Sequence, residues 1–310
     1  MTKRMPKVTV RQARQNELLQ ICRLIVRTVN HLYQRVARPR FKARVPKVWP
    51  IMEHWFGSDP EGMLVAVNSR KQVVGHAGSI VREQEWYLNN LFVNPSLQSR
   101  GLGALLLDKS MEYGRQRGCK RFSLCTFAEN PQAVALYTRF GMPAQRPVMM
   151  LKRRLVADRL QPEIASSNRL DCRLIEDEAF INKFNRLDRR ARGIARPEEH
   201  HFWLRDPGYS TYAFFAGRRL VGYAIIHRQG LVGPLVAAEA EYLDDIFVQA
   251  INVGAAEQNG QQILFVQGER QELLNTLLAA GFKIDEVLLE MSSEKLANPE
   301  LYVPGSLAYY

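Results

Sequence analysis

From Leu91 to Ala104 the chain reads Leu-Phe-Val-Asn-Pro-Ser-Leu-Gln-Ser-Arg-Gly-Leu-Gly-Ala, then runs into Leu105-Leu106-Leu107. A short apolar strand stops at Pro95, a turn bearing two glycines follows, and a helix of apolar period begins near Gly103. This is the layout of a diphosphate cradle. Glycines at 101 and 103 can take backbone angles closed to other residues, so that successive N–H groups converge on one anion. The helix adds its unpaired first-turn N–H groups and the positive end of its dipole, and Arg100 adds a formal charge. A Walker loop is excluded, because no Lys-Ser or Lys-Thr follows the second glycine. A dinucleotide-binding turn fits poorly, since the third glycine and an acid-ended strand about 20 residues on are both missing.

The rest of the first half reads as alternating strands and helices. A strand is expected at 8–11 and a helix over 14–36, where Leu18, Ile21, Cys22, Ile25, Val29 and Leu32 recur at helical steps. A short helix is expected at 51–56. Strands follow at 63–68, 73–81 and 85–93, then the cradle and its helix to about Gly118. A strand at 121–127, a helix at 131–140 closed by Gly141, and a strand at 147–153 complete this half. Residues 155–168 are polar without period, a linker pattern.

The second half repeats the first in outline. Leu220-Val221-Gly222-Tyr223-Ala224 echoes Val73-Val74-Gly75-His76-Ala77, and Gly233-Pro234-Leu235-Val236 stands where Asn90-Leu91-Phe92-Val93 stood. Ile263–Gln267 echoes the strand at Arg121, and Leu274–Phe282 echoes Leu136–Met142. The second copy lacks the glycine turn, because 237–242 contains no Gly-x-Gly. Duplication with one cradle kept is the simplest account. The expected domains are 1–155 and 169–310, joined by a linker at 156–168.

At 310 residues the chain is comfortable for two domains of about 150 each. Its net charge of +12 is uneven: residues 1–160 hold 28 Lys+Arg against 10 Asp+Glu, and residues 161–310 hold 15 against 21. The densest run is Arg35, Arg38, Arg40, Lys42, Arg44 and Lys47, with no acid among them. It reads either as a solvated basic face or as a surface for an anionic partner. Cys22, Cys119, Cys125 and Cys172 show no Cys-x-x-Cys spacing and lie in apolar segments, which suggests reduced, buried thiols. No apolar run approaches the roughly 20 residues needed to span a bilayer, and the basic start lacks an apolar signal stretch. A cytoplasmic location and no membrane partner are expected.

Residues 8–153 resemble the GCN5-related N-acetyltransferases. Gln98-Ser99-Arg100-Gly101-Leu102-Gly103-Ala104 matches that family's pyrophosphate motif. Asn130-Pro131, Ala135-Leu136-Tyr137 and Phe140-Gly141-Met142 match its second motif at the expected distance. The whole chain looks like a tandem member with a degenerate C-terminal copy. The resemblance implies an α/β (α+β) fold of two domains, each a mixed, largely antiparallel sheet flanked by helices. It implies an N-acetyltransferase in which the first domain moves an acetyl group directly from acetyl-CoA to an amine. Its site would use Leu91, Phe92 and Val93 beside the pantetheine arm. The pyrophosphate would rest on Gln98, Ser99, Arg100, Gly101, Leu102, Gly103 and Ala104, with Asn130 and Tyr137 also at the cofactor.

Within that resemblance Tyr137 is the expected acid for the leaving thiolate. Many relatives carry a glutamate as base on the strand before the cradle, where this chain has Asn89-Asn90. Asn90 could orient a water, and Glu85 is the better placed of the upstream acids. Each residue also has a plainer reading: Tyr137 as a packing aromatic, Asn130 as a helix cap before Pro131, Glu85 as a strand-surface carboxylate, and His76 as a partnered core histidine. Trp49 and Trp55 fit an acceptor pocket or the core. His200-His201 lacks further ligands at metal spacing, so no metal is expected. The acceptor is an unidentified small-molecule or peptide amine, anionic if the basic run faces the cleft, and the chain acts as a monomer or homodimer. The alternative is a non-catalytic module binding acetyl-CoA or, less favoured, nucleic acid.

Overall fold

The computed structural model describes residues 7–40, 45–155, 164–166, 170–296 without 258–259, and 298–307. The chain divides into two compact units that are not contiguous in sequence. One holds residues 1–125, 129–143 and 291–294, and the other 126–128, 144–290 and 295–310.

The first unit begins with β1 (Val8–Gln12), α1 (Leu18–Arg35) and α2 (Pro50–Ser58). A meander of β2 (Met63–Asn68), β3 (Val73–Arg82) and β4 (Glu85–Val93) follows, then α3 (Leu102–Gln116), β5 (Arg121–Phe127) and α4 (Pro131–Arg139). The strands lie in the order β1-β2-β3-β4-β5, antiparallel except for the parallel β4–β5 pair. The β2–β3 turn closes on Asn68, whose Oδ1 accepts from the Arg70 and Gln72 amides, each at 3.0 Å. The apolar stripe of α1 buries Leu18, Ile21, Cys22 and Ile25. On one sheet face Leu102 and Leu106 of α3 pack with Leu64, Ala66, Val74, Ala77 and Val93.

The second unit runs β6 (Ala144–Arg154), β7 (Asp171–Ile175), α5 (Ile181–Arg192), α6 (Pro197–Arg205), β8 (Tyr209–Ala216), β9 (Arg219–His227) and β10 (Val232–Ala237). Then come α7 (Ala240–Glu257), β11 (Gln261–Gln267), α8 (Gln271–Ala279), β12 (Lys283–Ser292) and β13 (Tyr302–Val303). Its strands lie in the orders β12-β6-β11 and β13-β10-β9-β8-β7. Leu151 of β6 is buried in the same core as Phe214, Leu235, Phe247 and Leu264.

Both units are mixed, largely antiparallel sheets with helices, as the sequence suggested. The expected cut at 155 assigns residues 144–154 to the first domain, whereas β6 pairs with β11 along its length from Val148 to Arg154. The first unit instead takes in residues 291–294, where the Ser293 amide donates to the Phe122 carbonyl at 2.9 Å. Partner choice among strands is a long-range outcome that local pattern does not encode. Of the expected linker, only 164–166 are described. Ile164 is buried and exchanges hydrogen bonds of 3.1 and 3.0 Å with the Asn252 side chain of α7. Cys22 is buried as expected. Cys119, in the turn before β5, Cys125, and Cys172, on the edge strand β7, are only half-buried.

A chain ended at Leu155 keeps β6 without β11 and loses residues 291–294. We expect it to lack a cooperative thermal transition by circular dichroism; a sharp melt near that of the full chain would refute this interleaving.

Candidate functional site

The site begins with a change of partner along β4. Glu85 to Leu88 pair in parallel with Arg121 to Leu124 of β5, and beyond Leu88 β4 has no strand partner on that edge among the described residues. On its other edge β4 stays with β3 through Gly75↔Val93, with a register shift between Gly78 and Ser79 that leaves Asn89 as the extra residue. Such a bulge bends the strand and raises its twist. The Asn94 amide donates to the Val74 carbonyl at 2.9 Å. By the antiparallel alternation, Phe92 faces β3 with its peptide groups, and Leu91 and Val93 turn theirs to the unpaired edge. The Val93 carbonyl is already engaged there, accepting from Gln98 Nε2 at 3.1 Å.

The turn after β4 is tied by Asn94, whose Oδ1 accepts from the Ser96 amide and hydroxyl at 3.2 and 3.1 Å. Ser99 (φ 58°) and Gly101 (φ 85°) both take left-handed angles, which curls the backbone into a concave run of N–H groups. Gly101 is the N-cap of α3 and offers no side chain, so no side-chain oxygen caps the helix. The amides of Leu102, Gly103 and Ala104 are first-turn donors without an intrahelical acceptor. Gly103 is helical, against the expectation that it needs special angles. What it supplies is room: a Cβ there would meet only Leu136 at 3.7 Å and Val93 at 3.9 Å. Arg100 makes no ion pair among the described residues.

Leu136 near Gly103 also places α4 beside the cradle, and with it Tyr137. This residue is buried, and its hydroxyl has no hydrogen-bond partner among the described residues. Burial pushes its pKa well up, so the phenol stays protonated at neutral pH. Asn130 is the N-cap of α4, its side chain accepting from the Ala133 amide at 3.4 Å.

Glu85 is not at this place. It lies five residues up β4 from Asn90, about 17 Å of strand, at the end that is paired with β5. It is buried rather than on the strand surface. Arg121 holds one carboxylate oxygen at 2.7 Å and the Ser123 hydroxyl the other at 2.5 Å. Asn90 does lie on the unpaired stretch, buried, with Nδ2 3.9 Å from Met52 Sδ of α2. Beside it stands His76, which periodicity gave only as a core histidine. His76 Nδ1 is 2.8 Å from the Leu64 carbonyl and so carries the hydrogen, which leaves a lone pair on Nε2. That nitrogen is buried without a partner among the described residues. It and Asn90 Nδ2 lie 3.0 and 3.4 Å from the same point over Gly78. Burial lowers the His76 pKa to about 4, so the ring is neutral at physiological pH.

Other candidates separate. Trp55 is core and Trp49 only half-buried. Of the basic run, Arg35 contacts Gln132 at 3.5 Å and Arg38 pairs with Glu129 at 3.8 Å, while residues 41–44 lie outside the described residues. His200 bonds Asp188 at 2.7 Å, and His201 lies 3.2 Å from Glu178. Among the described residues, no three His, Cys, Asp or Glu side chains converge on a metal position, and no helix is long and apolar enough to cross a membrane.

A bent strand leaving its neighbour is thus followed by a concave glycine turn and by a helix with no side-chain cap. Residues 28–142 match the model of the Acetyltransferase (GNAT) family. A relative from Methanocaldococcus jannaschii, an uncharacterized N-acetyltransferase, is 33% identical over 61 residues, which is 20% of this chain and 27% of that protein. The chain spans less than a third of the length of the curated relatives it matches. The fold as a whole is similar to a putative acetyltransferase from Pyrococcus horikoshii (TM-score 0.73, 16% identity, 98% of this chain and 96% of that one). It is also similar to a tandem GNAT protein from the clavulanic acid biosynthesis pathway (TM-score 0.58, 14% identity, 94% and 99%). The family match is thus carried by residues 28–142, and the similarity of the whole chain to these structures is one of fold.

The depressed His76 pKa has a consequence for stability. Between about pH 6.5 and pH 4 the unfolded chain binds a proton at this residue that the folded chain refuses, so stability falls as pH falls through that window, by up to about 3 kcal/mol. His76→Asn keeps a donor for the Leu64 carbonyl and removes the titration. Urea midpoints at pH 7 and pH 5 should then lie closer together than in the wild type; an unchanged gap would refute the assignment.

Proposed function

We propose that the chain is an acetyl-CoA-dependent N-acetyltransferase whose first unit binds the cofactor and whose acceptor is a small-molecule or peptide amine. One observation carries this reading: the unpaired edge of β4 runs directly into three uncapped helix amides, within one unit. The fit to a diphosphate is physical, because the amides of Leu102, Gly103 and Ala104 need acceptors, Gly103 leaves room, and Arg100 is a cation with no ion pair among the described residues.

Bound acetyl-CoA supplies the acetyl group as a thioester, whose C–S bond breaks when an amine nitrogen bonds the carbonyl carbon. The chain's residues do the rest. The Leu91 peptide groups and the Val93 amide hold an extended amide-bearing arm as a neighbouring strand would. Tyr137, protonated and without a competing partner, donates to the departing sulfur. An ammonium of pKa near 10 cannot attack, so a proton must leave first. Asn90 orients the amine or a water without accepting that proton. In this reading the neutral Nε2 of His76 beside it receives the water's hydrogen bond. Glu85 serves the β4–β5 pairing.

Gly103→Glu places a carboxylate in the cradle at a helical position with open space, so it should weaken acetyl-CoA binding at least about 100-fold by calorimetry while leaving the melting temperature within a few degrees. Undiminished binding would sink the cofactor assignment. Tyr137→Phe should lower kcat about 10- to 100-fold, with little change in KM for acetyl-CoA, in a thiol-release assay over a panel of amines. Full activity in that variant would return Tyr137 to a packing role.

A further inference from the structure

The second unit repeats the site's backbone with a different occupant. Gly222↔Ala237 and Ala224↔Leu235 in β9–β10 correspond to Gly75↔Val93 and Ala77↔Leu91 in β3–β4. Both pairs carry a register shift just before the matched stretch, between Val232 and Leu235 in the second unit. The parallel pairing of β4 with β5 has a remnant too, a single bridge from Leu231 to Ile263 of β11. After Leu231, β10 leaves β11 as β4 leaves β5 after Leu88. The second unit therefore has the same wedge.

That wedge is filled by the chain itself. β13 enters antiparallel on the β10 edge away from β9, with Leu235↔Val303 and Val236↔Tyr302. The Ala237 amide, the counterpart of the outward Val93 amide, donates to the Leu301 carbonyl at 2.9 Å. From the β11 side, Gln267 Nε2 donates to the Tyr302 carbonyl at 3.0 Å, and Arg270 reaches the Pro299 carbonyl at 3.0 Å. Tyr302 and Val303 are wholly buried, and the Arg192 and Arg196 guanidinium groups lie 5.2 and 5.5 Å from the Tyr302 ring centre. Fit continues past the strand, since a Cβ on Gly305 would stand 2.5 Å from Pro234 Cδ.

We infer that residues 299–305 are the built-in occupant of a second cofactor wedge, a peptide standing where the first unit receives the pantetheine arm, so that the full chain takes up one acetyl-CoA and not two. This rests on the proposed reading of the first wedge. It goes further than the missing glycine turn. Loss of the turn removes only the diphosphate contacts, whereas the tail consumes the strand-edge hydrogen bonds themselves.

The test uses the intact chain. Isothermal calorimetry with acetyl-CoA is combined with amide hydrogen exchange read residue by residue. We expect one site per chain, a Val93 amide that exchanges freely alone and at least about 100-fold more slowly with saturating acetyl-CoA, and an Ala237 amide that is protected equally in both states. Loss of the glycine turn without a plug would also give one site, but with Ala237 exchanging as fast as unliganded Val93, and that result overturns the inference. Two sites per chain overturn it as well and leave the proposed function standing. No binding and no change at Val93 overturn the reading of the first wedge, and this inference with it.

Discussion

The departure of β4 from β5 after Leu88 is the feature on which the rest of the candidate site depends. A strand in the middle of a sheet has both edges satisfied, and nothing can be added to it without breaking pairs. Here the extra residue at Asn89 bends β4 while β3 keeps hold of it to Val93. One edge is thus left with peptide groups that point outward and lack a strand. The pairing that stops the departure from running back up the strand is Glu85 with Arg121 and Ser123, a buried carboxylate with both oxygens held. Removing one member of such a set leaves the other charged and unpaired. Glu85 is therefore better understood as fixing where the wedge begins than as working inside it.

Much of this was legible in the sequence, for local reasons. The strands at 63–68, 85–93 and 121–127 fall where alternation and turn residues put them. The cradle was legible because its geometry is written in adjacent residues: Pro95 stops the strand, Gly101 takes the left-handed angle, and the leucines after it carry helical period. Asn130 caps its helix because Pro131 follows it, again a local rule. The parts that escaped are those made by distant residues. Nothing near His76 says that its second nitrogen will lie over Gly78 beside Asn90, because that depends on the β3–β4 register. Nothing near Ala144 says that the next strand pairs with β11 rather than remaining with the half that precedes it. Glu85 looked like an exposed acid because its partners lie more than thirty residues downstream.

The second unit shows the same backbone with a different set of buried polar groups. Its buried Asp188 carboxylate is engaged at both oxygens: it accepts from Tyr223 at 2.8 Å, lies 3.0 Å from Arg196 and bonds His200 at 2.7 Å. The neighbouring cations hold its carboxyl at about 2 against the cost of burial. His76 in the first unit is the reverse case, with a ring nitrogen buried and unpaired among the described residues. Leaving such a group unsatisfied costs on the order of 1–3 kcal/mol. A ring nitrogen left open beside the unpaired strand edge can take in a polar atom that the described residues do not supply.

The two wedges also bear on which half of the chain works on substrate. A peptide strand and a pantetheine arm offer a sheet edge the same chemistry, amide N–H and C=O groups on an extended chain. A groove shaped for one accepts the other without redesign. Tethering decides the competition: a segment of the same chain meets its groove at an effective concentration that a free ligand rarely matches. With the tail seated on β10 and no glycine turn behind it, the wedge of the second unit has neither an open β10 edge nor a cradle. The first unit has both, and the groups proposed to manage protons, Tyr137 and the Asn90–His76 pair, lie with them. The proposed chemistry falls to one wedge by the same criterion that distinguishes the wedges, namely which strand edge still has hydrogen bonds to give.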